Sequence, residues 1–134
     1  MSKRIKVLVI DDDKFIRTTL KHYLWLEGFE VYLARNGRSG LRMARKKQPV
    51  LILLDWSMKG MDGLEVLSHL KHNEKTERIP VFMLTAKGTM GEIERAFEIG
   101  ADNYITKPFE PTQLGKTIKA KLQKFRAAEI KLSV

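Results

Sequence analysis

Five short apolar segments recur along the chain, and three of them are continuous runs rich in Val, Ile and Leu. The strong runs occupy residues 5–10, 50–54 and 80–84, and weaker ones occupy residues 29–34 and 103–106. Continuous rather than alternating hydrophobicity is typical of strands that are covered on both faces, as in a parallel sheet flanked by helices. The five segments therefore predict five strands of a buried parallel sheet.

Segments with helical periodicity lie between and after these runs. Their apolar positions are Ile16, Leu20, Tyr23 and Leu24; Leu41 and Ala44; Leu64, Leu67 and Leu70; Ile93, Ala96 and Phe97; and Leu114, Ile118, Leu122 and Phe125. Spacings of three and four residues predict helices that bury one face, and the turn residues Asp62 and Gly63 open the third of them. Because strand and helix alternate five times, we expect a doubly wound α/β domain with right-handed crossovers.

The length and composition of the chain fit one domain. We expect a single domain over residues 1–134, with its core at about 4–126 and a C-terminal extension at 127–134. The absence of cysteine excludes disulfides, thiolate catalysis and zinc sites built on cysteine. No signal-peptide pattern follows Met1, and no apolar run approaches a membrane span. We therefore expect a cytoplasmic protein without membrane insertion.

The net charge of +9 at pH 7 is large for this length and raises the question of an anionic partner. The basic residues concentrate in two helical segments: Arg35, Arg38, Arg42, Arg45, Lys46 and Lys47 in the first, and Lys116, Lys119, Lys121, Lys124, Arg126 and Lys131 in the second. Few aromatic residues are interleaved with them. We interpret both sets as solvated helix faces and keep a binding patch as a secondary hypothesis.

Unusual polar residues follow four of the predicted strands. Asp11, Asp12 and Asp13 follow the first strand, Asp55 the third, Thr85 and Ala86 the fourth, and Lys107 and Pro108 the fifth. In an open parallel sheet, ligands bind beyond the carboxyl ends of the strands. The sequence therefore predicts a functional site at this one edge of the sheet.

The residue types at this edge indicate a particular chemistry. Carboxylates gathered in a small space repel one another unless a cation lies among them, and oxygen donors without His or Cys favour a hard cation such as Mg²⁺. Asp55 is then a candidate nucleophile toward an activated phosphoryl group. Lys107 and the Thr85 hydroxyl would stabilise charge on the transferring oxygens.

Each of these residues has a simpler structural explanation when it is taken alone. Asp12 or Asp13 fits a helix cap, and Asp55 fits a turn. Thr85 fits a strand end, and Lys107 fits a solvated surface position. We favour a functional site because all of them are expected at the same edge of the sheet.

Four segments resemble a response-regulator receiver domain: DDD at 11–13, LLDWSMKGMDG at 53–63, LTA at 84–86 and YITKPF at 104–109. The resemblance covers essentially the whole chain. It implies a flavodoxin-like (βα)5 fold whose five parallel strands lie in the order 2-1-3-4-5, with helices on both faces. It also implies a phosphoprotein of two-component, or phosphorelay, signalling that is not an enzyme, but a phosphoacceptor that assists its own phosphorylation and dephosphorylation.

This resemblance assigns the metal and the phosphoacceptor. Asp55 takes a phosphoryl group from phosphohistidine in a step that depends on Mg²⁺ (or Mn²⁺). Asp11 and Asp12, together with Asp55 and the backbone carbonyl of Ser57, hold the metal, and Asp13 caps the first helix.

The resemblance also assigns residues that respond to phosphorylation. Thr85 is the switch hydroxyl, with Ala86 beside it at the phosphoryl group, and Lys107 pairs with the phosphate. Tyr104 is an aromatic side chain that changes rotamer. The peptide bond between Lys107 and Pro108 is expected to be cis, a geometry realistic mainly before proline.

The implied partners are a sensor histidine kinase or a phosphotransfer domain, which donates the phosphoryl group. An output protein of unknown identity would bind the surface formed by the fourth helix, fifth strand and fifth helix, and phosphorylation would change that surface. A phosphorylation-dependent dimer is a further possibility, whereas nucleic acid is not an expected partner. Residues 127–134 are too few for an appended DNA-binding domain.

Several positions depart from the family pattern or vary within it. Lys59 stands where the family commonly has proline, which predicts a more mobile loop after the phosphoacceptor. Ser57 and Lys87 flank the site at positions that influence how long the phosphoryl group persists. Gly88 and Gly91 bracket the start of the fourth helix, either to loosen it or as an ordinary turn.

Two functions of other classes remain as alternatives. A haloacid-dehalogenase-like phosphatase also uses an aspartate nucleophile with Mg²⁺, but normally has a second acid two residues later, where this chain has Ser57. A basic nucleic-acid-binding module is supported only by the net charge.

Overall fold

A computed structural model describes residues 4–86 and 89–132 of the chain, so Lys87 and Gly88 lie outside the described residues. Five strands alternate with five helices. Their bounds are β1 (Ile5–Ile10), α1 (Lys14–Leu26), β2 (Phe29–Ala34), α2 (Gly37–Lys47), β3 (Leu51–Asp55), α3 (Gly63–Lys71), β4 (Val81–Thr85), α4 (Met90–Ile99), β5 (Asn103–Thr106) and α5 (Pro111–Leu132). Every predicted strand and helix is present, with β3 and β4 starting one residue later than their apolar runs.

The five strands form one parallel sheet in the order β2-β1-β3-β4-β5, which confirms the expected topology. Ile10 at the end of β1 pairs with Leu54 in β3, and Thr85 at the end of β4 pairs with Thr106 in β5. This register aligns the carboxyl ends of the strands. Residues that immediately follow them are therefore neighbours in space.

Both faces of the sheet are buried, and alternate strand residues point to opposite faces. In β3, Leu51 and Leu53 belong to a core with residues of α1 and α5, whereas Ile52 and Leu54 belong to a core with residues of α2, α3 and α4. All four side chains are fully buried. The continuous apolar run of β3 is thus explained by two hydrophobic cores, one on each face.

The helix starts follow from local polar side chains. The Asp13 carboxylate accepts hydrogen bonds from the backbone N–H groups of Phe15 and Ile16, which confirms its role as the cap of α1. Asp62 caps α3 by accepting from the N–H of Glu65.

At the other end of the chain, α5 continues as far as Leu132, so the segment after residue 126 begins as helix. Among the described residues, no helix is long and apolar enough to span a membrane.

Gly63 is the point at which α3 approaches the end of β3 most closely. A Cβ atom at this position would lie 2.4 Å from the Asp55 carbonyl oxygen and 2.7 Å from the Trp56 Cα. The Gly63 N–H also donates to the Trp56 carbonyl at 2.9 Å. Because the neighbouring atoms are backbone, they cannot swing away, and only glycine fits.

We expect Gly63→Ala to lower the free energy of unfolding by about 1–3 kcal/mol, the usual cost of forcing extra volume into a packed site. The loss should appear although alanine is intrinsically the better helix former by about 1 kcal/mol. Urea unfolding followed by circular dichroism measures the change.

Gly91→Ala is the matched control, because Gly91 also lies in the first turn of a helix but a Cβ atom there would have no neighbouring atom within 4 Å. This variant should be as stable as the parent chain or more stable by up to about 1 kcal/mol. Equal destabilisation by both substitutions would refute the close-approach explanation for Gly63.

Candidate functional site

Three aspartates meet at the carboxyl edge of the sheet. Asp11 and Asp12 directly follow β1, and Asp55 is the last residue of β3. One carboxylate oxygen from each lies within 4.8 Å of the oxygens of the other two. Asp11 is fully buried and Asp55 is 5% exposed, whereas Asp12 is exposed at the mouth of the cluster.

Lys107 reaches this acidic cluster from the end of β5. Its Nζ atom lies 3.0 Å from Asp11 Oδ2 and 3.1 Å from Asp55 Oδ1, within hydrogen-bond distance of both. The Lys107 backbone N–H donates to the Thr85 carbonyl, which ties the start of the β5–α5 loop to the end of β4. One ammonium therefore bridges the ends of β1 and β3 from the far side of the sheet.

The electrostatics of Asp55 show that this single cation does not balance the cluster. Burial raises the pKa of Asp55 and the charge of Asp11 raises it further, while the charge and hydrogen bond of Lys107 and the N–H of Ser57 lower it. The net result is a pKa of about 6, compared with an ordinary value of 3.8. The ionised site therefore retains negative charge that favours a further cation.

Lys107 stays charged in this environment. Burial lowers the pKa of Lys107, but the hydrogen bonds and charges of Asp11 and Asp55 outweigh it, so the pKa is raised overall. A permanently charged ammonium next to Asp55 is suited to stabilise anionic oxygens that arrive there.

Backbone N–H groups fix the orientation of the three carboxylates. The N–H of Asp13 donates to Asp11 Oδ1 at 2.9 Å, and the N–H of Ser57 donates to Asp55 Oδ1 at 3.3 Å. The N–H of Lys59 donates to Asp12 Oδ2 at 3.3 Å. A proline at residue 59 has no N–H, so the departure from the family pattern at Lys59 adds a hydrogen bond to the acidic cluster.

The donor set fits a hard divalent cation. Three carboxylates without histidine or cysteine are typical ligands of Mg²⁺ or Mn²⁺, and their mutual repulsion is relieved when such an ion binds. Ser57 lies two residues beyond Asp55, and its N–H bond to that carboxylate keeps its backbone at the site. The residues present could therefore hold the metal that the sequence predicts.

The predicted switch residues of β4 and β5 differ in their exposure and contacts. Thr85 is buried at the end of β4, and Ala86 is exposed next to it. Tyr104 is 38% exposed, and its ring lies edge-on to that of Phe97 in α4, with the ring centroids 6.2 Å apart. The peptide bond between Lys107 and Pro108 is cis, as expected.

Arg17 was not predicted as part of this region. Its Nη1 atom donates to the Asp11 carbonyl at 2.9 Å, which anchors the backbone that carries the acidic pair to the first turn of α1. The acceptor is a backbone carbonyl, which every residue has. No sequence motif specifies such a contact. The only signal available in the sequence is an arginine placed one helical turn after the Asp13 cap.

Comparison with known proteins identifies the family to which the chain belongs. The family model for the response regulator receiver domain matches residues 7–119. Transcriptional regulatory protein SrrA of Staphylococcus aureus is 38% identical over 128 residues, which are 96% of this chain and 52% of the relative. The chain thus spans about half the length of the curated relatives that it matches.

Solved structures are similar over most of the chain. Chemotaxis protein CheY4 of Vibrio cholerae is 32% identical with a TM-score of 0.82, over 87% of this chain and 98% of that one. The signal receiver domain of a histidine kinase from Syntrophus aciditrophicus is 33% identical with a TM-score of 0.77, over 89% of this chain and 90% of that one. These matches favour neither the phosphatase nor the nucleic-acid module. The chain belongs to the response regulator receiver domain family and is a receiver domain of two-component signalling.

Proposed function

We propose that Asp55 is the phosphoacceptor of this receiver domain and that phosphohistidine of a sensor histidine kinase or a phosphotransfer domain is the donor. The observation that carries the proposal is the position of Lys107 Nζ between Asp11 and Asp55, at 3.0 and 3.1 Å, beside three clustered carboxylates. A nucleophilic oxygen, a fixed cation and a set of metal ligands are thus side by side. Phosphoryl transfer requires these three elements.

In the proposed step, an Asp55 carboxylate oxygen forms a bond to phosphorus as the phosphorus–nitrogen bond of phosphohistidine breaks. The electron pair of that bond returns to the imidazole of the donor. Asp11, Asp12, Asp55 and the Ser57 carbonyl would hold Mg²⁺ (or Mn²⁺), which neutralises charge on the transferring oxygens when it is bound. Lys107 stays protonated and pairs with one of these oxygens. The domain is therefore both the acceptor and an assistant of its own phosphorylation and dephosphorylation.

The proposed response to phosphorylation starts at Lys107 and Thr85. The new group adds charge and strong acceptor oxygens at Asp55, which the Lys107 ammonium and the Thr85 hydroxyl would bind. Both residues belong to the strand ends next to α4, and the Lys107 N–H already bonds to Thr85. Drawing them in would bias Tyr104 away from its contact with Phe97 and toward the interior.

This movement would alter the surface formed by α4, β5 and α5. Met90, Phe97 and Tyr104 are large exposed apolar or aromatic side chains on the first two of these elements. We propose that this surface binds the output protein, or a second copy of the domain, in the phosphorylated state. Phosphorylation would act by shifting populations between two arrangements of the surface.

Asp55→Asn is expected to abolish the gain of one phosphoryl group on incubation with acetyl phosphate and Mg²⁺, because the amide lacks the nucleophilic oxygen. Intact-mass spectrometry measures the gain. Asp13→Asn is the matched control, since asparagine also caps helices well and Asp13 lies outside the carboxylate cluster. Undiminished labelling of the Asp55→Asn protein would refute the assignment.

Mg²⁺ binding is expected to depend on pH with a break near 6. Below this value Asp55 is protonated, and the proton must leave before the carboxylate can bind the ion. The apparent affinity should therefore be nearly constant above about pH 7 and fall by up to about tenfold per pH unit below about 6. Trp56, which is next to Asp55, reports binding by fluorescence in a Trp25→Phe background.

The control for this titration is Asp55→Asn in the same background. Its weaker affinity for Mg²⁺ should lack the break near pH 6, because residue 55 no longer ionises. If both proteins lost affinity in parallel over this pH range, the break would belong to another group.

A further inference from the structure

The outer face of α2 carries three arginines, with the exposed Lys46 beside the last of them, and no acid. Arg38, Arg42 and Arg45 follow the i, i+4, i+7 spacing of one helix face, and all three are exposed. The buried residues Gly37, Gly40 and Ala44 hold the opposite side of α2 against the rest of the domain. The three guanidinium groups, here termed the arginine stripe, therefore extend over about 10 Å of helix.

The arginine stripe has no partner among the described residues. In residues 4–86 and 89–132, none of its side chains forms a salt bridge or a side-chain hydrogen bond. Arg38 and Arg42 are a like-charge i, i+4 pair, which disfavours the helix. Arg38 also lies in the first turn of α2, where the helix dipole disfavours a cation. Arg45 lies in the last turn, where the dipole favours a cation, so the unfavourable charges of the stripe are Arg38 and Arg42.

The arginine stripe of α2 differs in residue type from the basic face of α5. The exposed cations of α5 include Lys116, Lys119 and Lys124, which are flexible and strongly hydrated, as is typical of a solvated surface. The stripe instead consists of arginine, whose planar fork binds carboxylates and phosphates with two parallel hydrogen bonds. Arginine rather than lysine at all three positions indicates recognition of planar anionic groups.

We propose that the arginine stripe docks an acidic protein segment, most simply a helix with carboxylates at the matching i, i+4 and i+7 positions. Each carboxylate would accept two hydrogen bonds from one guanidinium. The stripe lies on α2, at the β2 end of the sheet, whereas the surface proposed to respond to phosphorylation lies at the β5 end. The proposal does not depend on phosphorylation of Asp55.

The surroundings of the stripe favour an acidic protein segment over nucleic acid or a lipid surface as the partner. No aromatic residue occurs in α2, so there is no platform on which nucleobases could stack. The absence of exposed leucine, isoleucine or aromatic side chains on the outer face also leaves nothing to insert into a lipid surface.

The test measures binding of a synthetic helical peptide with glutamates at i, i+4 and i+7, and of its glutamine counterpart, by fluorescence anisotropy. The chain should bind the glutamate peptide saturably and the glutamine peptide far more weakly. Arg38→Gln, Arg42→Gln and Arg45→Gln combined should weaken binding roughly tenfold, the sum of three exposed charge-assisted contacts. Circular dichroism and urea unfolding should show that this variant stays folded with nearly unchanged stability, because relief of the Arg38–Arg42 repulsion offsets the loss of Arg45 at the helix C-terminus.

Two further variants separate recognition from net charge. Lys116→Gln, Lys119→Gln and Lys124→Gln combined remove the same charge from α5 and should change peptide affinity less than about twofold. Replacing the three arginines of the stripe by lysine keeps the charge and should still weaken binding, because the fork geometry is lost. A lysine variant that binds as tightly as the parent chain would exclude bidentate recognition.

Three results would overturn the proposal. One is no saturable binding of the glutamate peptide at about 1 mM. Another is an equal loss of affinity in the α2 and α5 variants, which would attribute binding to net charge alone. The third is tighter binding to a duplex DNA oligonucleotide than to the peptide, with this preference lost in the α2 variant, which would assign the stripe to phosphate.

Discussion

The contact of Lys107 with Asp11 and Asp55 is the interaction on which the site depends. It joins the ends of β1, β3 and β5 through one ammonium at 3.0 and 3.1 Å from two carboxylates. Burial of unpaired charges is costly, and a single cation among three carboxylates compensates them only in part. Burial, together with the charge of Asp11, raises the pKa of Asp55 to about 6, and the uncompensated charge makes the edge of the sheet receptive to a divalent cation.

This electrostatic arrangement is possible because hydrophobic packing holds the sheet from both sides. The register places Asp55 opposite Leu84, so the polar residues begin where the buried strands end. A shift of one residue would exchange the two faces of a strand and move its terminal aspartate or threonine away from the edge. The absence of a side chain at Gly63 matters for the same reason, since the loop after β3 is packed against α3 without spare room.

Two charged regions of the chain differ in their surroundings. At the carboxyl edge of the sheet, acids outnumber bases and are partly buried, so the interactions are short and weakly screened. The outer face of α2 carries exposed arginines without acids, where partners rather than internal contacts determine what the charge contributes. The net charge of +9 therefore says little about the chemistry at Asp55, although it first suggested an anionic ligand.

The sequence by itself determined the five strands and five helices, the strand ends that carry Asp11, Asp55 and Lys107, and a cap of α1 at Asp12 or Asp13, of which the structure has Asp13. These features are predictable because hydrophobic periodicity and capping act over a few residues. The strand order and the cis peptide came from the resemblance to a family rather than from local patterns. The agreement of the strand order with the structure confirms the resemblance as well as the fold.

Only the tertiary structure decided how these residues meet. The bridge made by Lys107, the N–H bond from Lys59 to Asp12, and the hydrogen bond from Arg17 to the Asp11 carbonyl join positions from 6 to 96 residues apart. The position of the Tyr104 ring edge-on to Phe97 depends on how α4 packs beside β5. Such contacts depend on the packing of distant segments and on backbone groups that every residue possesses, so no local pattern in the sequence specifies them.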